Sequence, residues 1–138
     1  MRILVDTSVW GDYFNGVVTP RTDYLDGLFG RAPLVGGDLI LTEVLQGFVD
    51  EDELARAHAA LTRFEIFAIG GLDLALAAAA NGRILRIKGE PVPDGLDCLI
   101  ATFCIRSNMA LLHSDPNFVP FERHLGLKVP DPGMPAVG

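Results

Sequence analysis

The stretch Ile3-Leu4-Val5-Asp6-Thr7-Ser8-Val9-Trp10 leaves few architectures open to this chain. Three consecutive apolar residues, without the alternation of a half-wetted strand, fit a short strand buried on both faces. Asp6 ends the run, and Val9, Trp10, Tyr13 and Phe14 then recur at helical spacing. The order is therefore strand, acid, helix. In an open α/β sheet, ligands gather at the carboxyl ends of the strands, where Asp6 falls. The same residues also suit a plain helix cap, since Asp6, Thr7 or Ser8 can accept a bond from a free backbone N–H. Where the other acids fall decides between these readings.

The rest of the chain repeats the pattern. Asn15-Gly16 marks a turn, and Pro20 opens a helix with Tyr24, Leu25, Leu28 and Phe29 apolar and Gly30 as its C-cap glycine. Residues 32–35 read as a short strand closed by Gly36-Gly37, after which Asp38 looks like the N-cap of a helix over 39–48. Asp50 to Glu53 crowd the first turn of a helix over 50–63, where acids suit the positive helix end without any functional role. Residues 64–69 read as a strand, and Gly70-Gly71 breaks it. A long helix follows over 72–88, with Arg83, Arg86 and Lys88 in its last turns. After a rigid loop with Gly89, Pro91 and Pro93, residues 93–108 form a helix and 109–113 another short buried strand. A helix over 118–124 and a small edge strand over 127–129 complete the reading. Strands alternating with helices argue for a parallel sheet covered on both faces. No repeat or linker interrupts it, so residues 1–129 read as a single domain, with 130–138 as a loose Pro- and Gly-rich tail.

Composition sets outer bounds. A chain of 138 residues that is 49% hydrophobic supports one sizeable core. No apolar run reaches the roughly 20 residues of a membrane span, and no signal peptide precedes the first strand. A cytoplasmic location is expected. Cys98 and Cys104 are six apart, fit neither a redox nor a zinc pattern, and read as small buried hydrophobes. A net charge of −7 argues against broad non-specific nucleic-acid binding. It does not exclude an enzyme whose acids hold cations.

Four acids stand out by context. Asp6 and Asp115 each follow a short apolar strand. Glu43 lies on a helix just after a strand, off its apolar stripe. Asp97 lies in the first turn of a helix that follows a rigid loop. Right-handed crossovers bring such strand ends and helix starts to one edge of the sheet. Carboxylates gathered there repel unless something positive fills the site, and an oxygen-only donor set suits Mg²⁺ or Mn²⁺. Such ions can activate water and steady the leaving oxygen of a phosphodiester. Asp94 reads as the N-cap of the helix bearing Asp97, and either could reach a metal. Trp10 and Phe14 could stack on a base, but their spacing favours core packing. His58, His113 and His124 show no ligand spacing.

In that order and at those separations, ILVDTSVW, LILTEVLQGF, PDGLDCLIATFC and LLHSDPNF resemble the PIN domain, and more narrowly the VapC toxins, ribonuclease partners of VapBC toxin–antitoxin pairs. The resemblance extends to about Val129. It implies a three-layer α/β/α sandwich around a short parallel sheet and RNA cleavage dependent on Mg²⁺ or Mn²⁺. The family's acids match Asp6, Glu43, Asp97 and Asp115, and its hydroxyl after the first acid matches Thr7, with Ser8 beside it. Thr7, Ser8 and Asp94 would then position water or a carboxylate. Two positions depart from the pattern: Asp94 stands where many relatives carry Arg, and Asn117 where many carry a further acid. Phosphate contacts are expected from Arg83, Arg86 and Lys88, with Arg21, Arg106 and Arg123 less well placed. The resemblance also implies a VapB-type antitoxin, which commonly sends an Arg towards the acids, and a homodimer. Two alternatives stay open: a PIN-domain nuclease of RNA processing with no toxin role, and a non-enzymatic module whose acidic pocket recognises a basic partner.

Overall fold

The computed structural model describes residues 1–131. Four short strands, β1 (Ile3–Val5), β2 (Leu34–Gly37), β3 (Glu65–Phe67) and β4 (Ala110–Leu112), form one wholly parallel sheet in the order β3-β2-β1-β4. The central β1 is buried along its whole length, as its unbroken apolar run requires. Among the described residues, seven helices connect and cover the strands: α1 (Thr7–Phe14), α2 (Pro20–Leu28), α3 (Asp38–Gln46), α4 (Glu51–Leu61), α5 (Leu72–Ile87), α6 (Gly95–Ser107) and α7 (Val119–Leu125). Six of them pack in two groups, α1 with α2 and α3, and α5 with α6 and α7, giving the α/β/α sandwich. Among the described residues, no helix is long and apolar enough to cross a membrane.

Trp10 anchors the first helical layer. It is fully buried, stacked between Phe14 and Phe64 with centroids 5.5 and 5.8 Å away, and edge-on to Tyr13 and Phe29. Trp10 and Phe14 are thus packing residues, as their spacing suggests. Its indole N–H is the one buried side-chain polar atom without a partner among the described residues, a cost that burial of so large a ring outweighs. Both cysteines are free and buried.

Three local expectations change. Gly36-Gly37 does not close β2 but completes it, pairing with Ile66 and Phe67. A Cβ on Gly36 would stand 2.8 Å from Ile66 Cδ1 and one on Gly37 2.4 Å from Ile69 Cδ1, so the glycines serve close approach and not chain breaking. The N-cap of α3 is consequently Gly37, and Asp38 is its first helical residue. The Asp38 carboxylate instead accepts the Ile69 N–H at 2.9 Å, tying α3 to the end of β3. Finally, residues 127–129 make only one isolated bridge, Lys128 to Ala110, and no strand. The last helix begins with a 3₁₀ turn at Pro116–Phe118 before α7. Of the expected tail, the part beyond Asp131 lies outside the described residues.

The α5–α6 hairpin matters for the site. Asn81 Nδ2 donates to Thr102, Gly82 lies against Cys98, and Arg106 donates to the Asp73 carbonyl. These pairings run antiparallel, so the last turn of α5 stands beside the first turn of α6, where Asp97 sits.

Candidate functional site

The carboxyl ends of β1 and β4 are stitched together by the residues that follow them. The Asp6 N–H donates to the Leu112 carbonyl at 2.9 Å. Asp6 is 5% exposed, and its Oδ2 accepts both the Ser8 N–H at 3.1 Å and the Ser8 hydroxyl at 2.7 Å. Ser8 Oγ in turn accepts the Ser114 N–H at 3.2 Å. Ser8 therefore bridges the carboxylate after β1 to the backbone just ahead of Asp115. Asp6 is an N-cap as well as a member of the acid cluster; the two readings are compatible.

Asp97 is half-buried in the first turn of α6, and its carboxyl is pushed up to about 6. Burial contributes most, followed by the negative charges of Asp115, Asp6, Asp94 and Glu43. Glu43, half-buried on α3, is also raised, first by burial and then by Asp6, while the Thr7 hydroxyl, 3.5 Å away, opposes the rise and Asp94 adds to it. The four acids that the sequence singles out, with Asp94 beside them, thus share one electrostatic neighbourhood at one edge of the sheet. Asp94 caps α6, accepting the Leu96 N–H at 2.7 Å, and its carboxylate is exposed. Asp115 caps the 3₁₀ turn through the Asn117 N–H at 2.9 Å.

Convergence is not closure. Among the described residues, no three His, Cys, Asp or Glu side chains form a finished cation cage. Asp115, Asp6, Asp94 and Glu43 are near enough to raise the Asp97 carboxyl, and Asp6 and Asp94 near enough to raise Glu43. The donor set itself fits a hard divalent cation: only carboxylate and hydroxyl oxygens, several of them charged.

The three cations expected to meet phosphate, Arg83, Arg86 and Lys88, are exposed at the end of α5, on the Asp97 side of the hairpin. Arg106 and Arg123 are engaged elsewhere, with the Asp73 carbonyl and with Glu90. A groove of about 470 Å³ between α1 and α3, lined by Thr7, Phe14, Glu43 and Phe48 among others, opens beside the acids. The larger cleft, of about 1020 Å³, lies at the opposite, amino-terminal edge of the sheet, bordered by Arg2, Arg63 and Lys128. Its size does not make it the reactive site, because the perturbed acids lie at the other edge.

His113 belongs to this neighbourhood although its spacing gives no hint of it. The Asp115 N–H donates to His113 Nδ1 at 3.1 Å, and Nε2 lies 3.0 Å from Glu122 Oε2. The available signal was the separation of two residues, at which a side-chain acceptor can hold a turn.

The PIN domain family model matches residues 3–123. Two curated relatives, "VapC ribonuclease Mb1587" of Mycobacterium bovis and "Ribonuclease VapC11" of Mycobacterium tuberculosis, are each 32% identical over 126 residues, spanning 84% of this chain and 88% of the relative. Among solved structures, VapBC2 from Rickettsia felis bound to a promoter DNA fragment superposes with a TM-score of 0.73 at 19% identity, covering 94% of this chain and 98% of the other. FitAcB from Neisseria gonorrhoeae gives 0.71 at 17% identity, covering 95% and 98%.

Proposed function

The chain belongs to the PIN-domain family, among relatives named VapC ribonucleases, and from that premise we propose that it is an endoribonuclease toxin dependent on Mg²⁺ or Mn²⁺. The observation that carries this reading is the gathering of Asp6, Glu43, Asp97 and Asp115, from four separate segments, into one neighbourhood where burial first, and then the charges of the other acids, push the Asp97 carboxyl up to about 6. Asp6 and Asp97 are the central ligands in this reading, with Glu43 and Asp115 completing the set. When bound, the cation would activate water and steady the charge of the leaving oxygen. Ser8 holds the Asp6 carboxylate in place, and Thr7 restrains Glu43. Asp94 contributes negative charge at the rim, not a cation for the RNA backbone. Arg83, Arg86 and Lys88 would meet substrate phosphates beside the site.

Purified protein should cut single-stranded RNA with Mg²⁺ or Mn²⁺ and not with chelator. Asp6→Asn keeps the cap acceptor and removes the charge; it should fold and lose cleavage. Wild-type cleavage by that variant with Mg²⁺ present would overturn the assignment.

The partner in this reading is a small VapB-type antitoxin, supported by the names of the curated relatives and by fold neighbours solved as VapBC complexes. A homodimer is also expected. Leu72 and Leu76 are 74% and 61% exposed, one turn apart at the start of α5, apolar surface that such a contact would bury. The cytoplasm is the proposed location.

A further inference from the structure

His113 is buried, 6% exposed, immediately after β4, and the proposed function gives it no part. Its ring lies against Phe118 at a centroid distance of 5.0 Å and makes two directed polar contacts. At Nδ1 it accepts the Asp115 backbone N–H, and at Nε2 it faces Glu122 of α7. A ring nitrogen that accepts carries no proton. A neutral imidazole then bears its proton on the other nitrogen, here where a carboxylate oxygen waits 3.0 Å away to accept it. Both contacts select the same tautomer.

The consequence falls on Asp115. Asp6 follows its strand directly and is bonded to β4, while Glu43 and Asp97 ride on helices. Asp115 stands beyond the end of β4, on a turn that Ser8 holds through the Ser114 N–H and His113 holds through the Asp115 N–H. An Asn or Asp at position 113 could hold the N–H two residues ahead through Oδ1, as in an Asx turn. The imidazole does this and, through its far nitrogen, also fixes the turn to α7.

We propose that His113, held in its Nε2–H tautomer by Glu122, is a positioning residue that sets the Asp115 turn and so makes α7 part of the cation-binding site. The last step rests on the reading of the acids as a divalent-cation site; the tautomer and the turn do not.

Long-range ¹H–¹⁵N correlation on the metal-free protein reads the tautomer directly, and the expected result is a protonated Nε2 with a bare Nδ1. A proton on Nδ1 overturns the proposal. Mn²⁺ titration then compares variants checked for folding by Trp10 fluorescence. His113→Leu should weaken Mn²⁺ binding about tenfold, the low end of the loss typical when a ligand's supporting partner is removed. His113→Asn, which keeps an acceptor for the Asp115 N–H, should recover most of it. Glu122→Ala, which leaves the ring but frees it, carries the comparison should His113→Leu fail to fold, and should lose several-fold. In an Asp115→Ala background, His113→Leu should change Mn²⁺ affinity no further, since it acts through Asp115. A general structural role would instead give the same loss in both backgrounds, and that result overturns the proposal. Wild-type Mn²⁺ binding by His113→Leu overturns it too. Failure of the wild type itself to bind Mn²⁺ refutes the cation reading and the last step of the proposal together, whatever the tautomer.

Discussion

Asp97→Asn should make the cation-free protein more stable at neutral pH. The substitution keeps the side chain's size and removes its charge. The Asp97 carboxyl lies at about 6 in the folded protein against an ordinary 3.8, from burial first and then from Asp115, Asp6, Asp94 and Glu43. A raised carboxyl binds its proton more tightly in the native state than in the unfolded chain. Stability therefore falls as pH rises through the window from 3.8 to about 6, and the full cost is present above it. At about 1.4 kcal/mol for each tenfold change, that rise corresponds to about 3 kcal/mol, and solvent screening of a half-buried group reduces it to about 1–2 kcal/mol. Asp97→Asn should recover this amount at pH 7.5 in chelator, a gain of about 3–7 °C in Tm for a chain of this size. Near pH 3.5, where the carboxyl is mostly protonated in both states, the gain should largely vanish. Urea denaturation followed through the only tryptophan, buried Trp10, provides the assay. Saturating Mn²⁺ should close the gap, because the cation binds only the folded wild type. A variant less stable than wild type at pH 7.5, or a gain equal at both pH values, would refute the electrostatic reasoning.

Further outcomes follow from single contacts. Ser8→Ala removes the hydroxyl that joins Asp6 Oδ2 to the Ser114 N–H; it should cost about 1.5–3 kcal/mol in urea denaturation, the range for bonds to charged groups. Gly37→Ala drives a Cβ to 2.4 Å from Ile69 Cδ1, and repacking of that flexible end should cost about 1–3 kcal/mol by the same assay. The Cys104 thiol is pushed up to about 12, by burial first and then by Asp6, so a disulfide reagent at pH 8 should leave it unlabelled in native protein and modify it once urea unfolds the chain.

The parts of this molecule that could be read from letters are those governed by short-range rules. The unbroken Ile3–Val5 run, the capping Asp94, and Gly30 in its left-handed turn declare themselves locally. The acids at strand ends and helix starts could be grouped because parallel topology carries such positions to one edge. What escaped depends on distant neighbours. Gly36 and Gly37 look like breakers until Ile66 and Ile69 are seen pressing on them. Asp38 looks like a cap, but its carboxylate is claimed by an N–H 31 residues away. His113 looks idle because its partner Glu122 lies on another element and Asp115 meets it through a backbone atom.

The central claim is that carboxylates from four segments share a divalent cation. Crystals grown or soaked with Mn²⁺ and measured at the manganese absorption edge test it without reference to activity. The account predicts an anomalous peak within coordination distance of Asp6 and Asp97, with Glu43 and Asp115 turned towards it. A peak only elsewhere on the surface, or none at saturating Mn²⁺, would contradict it.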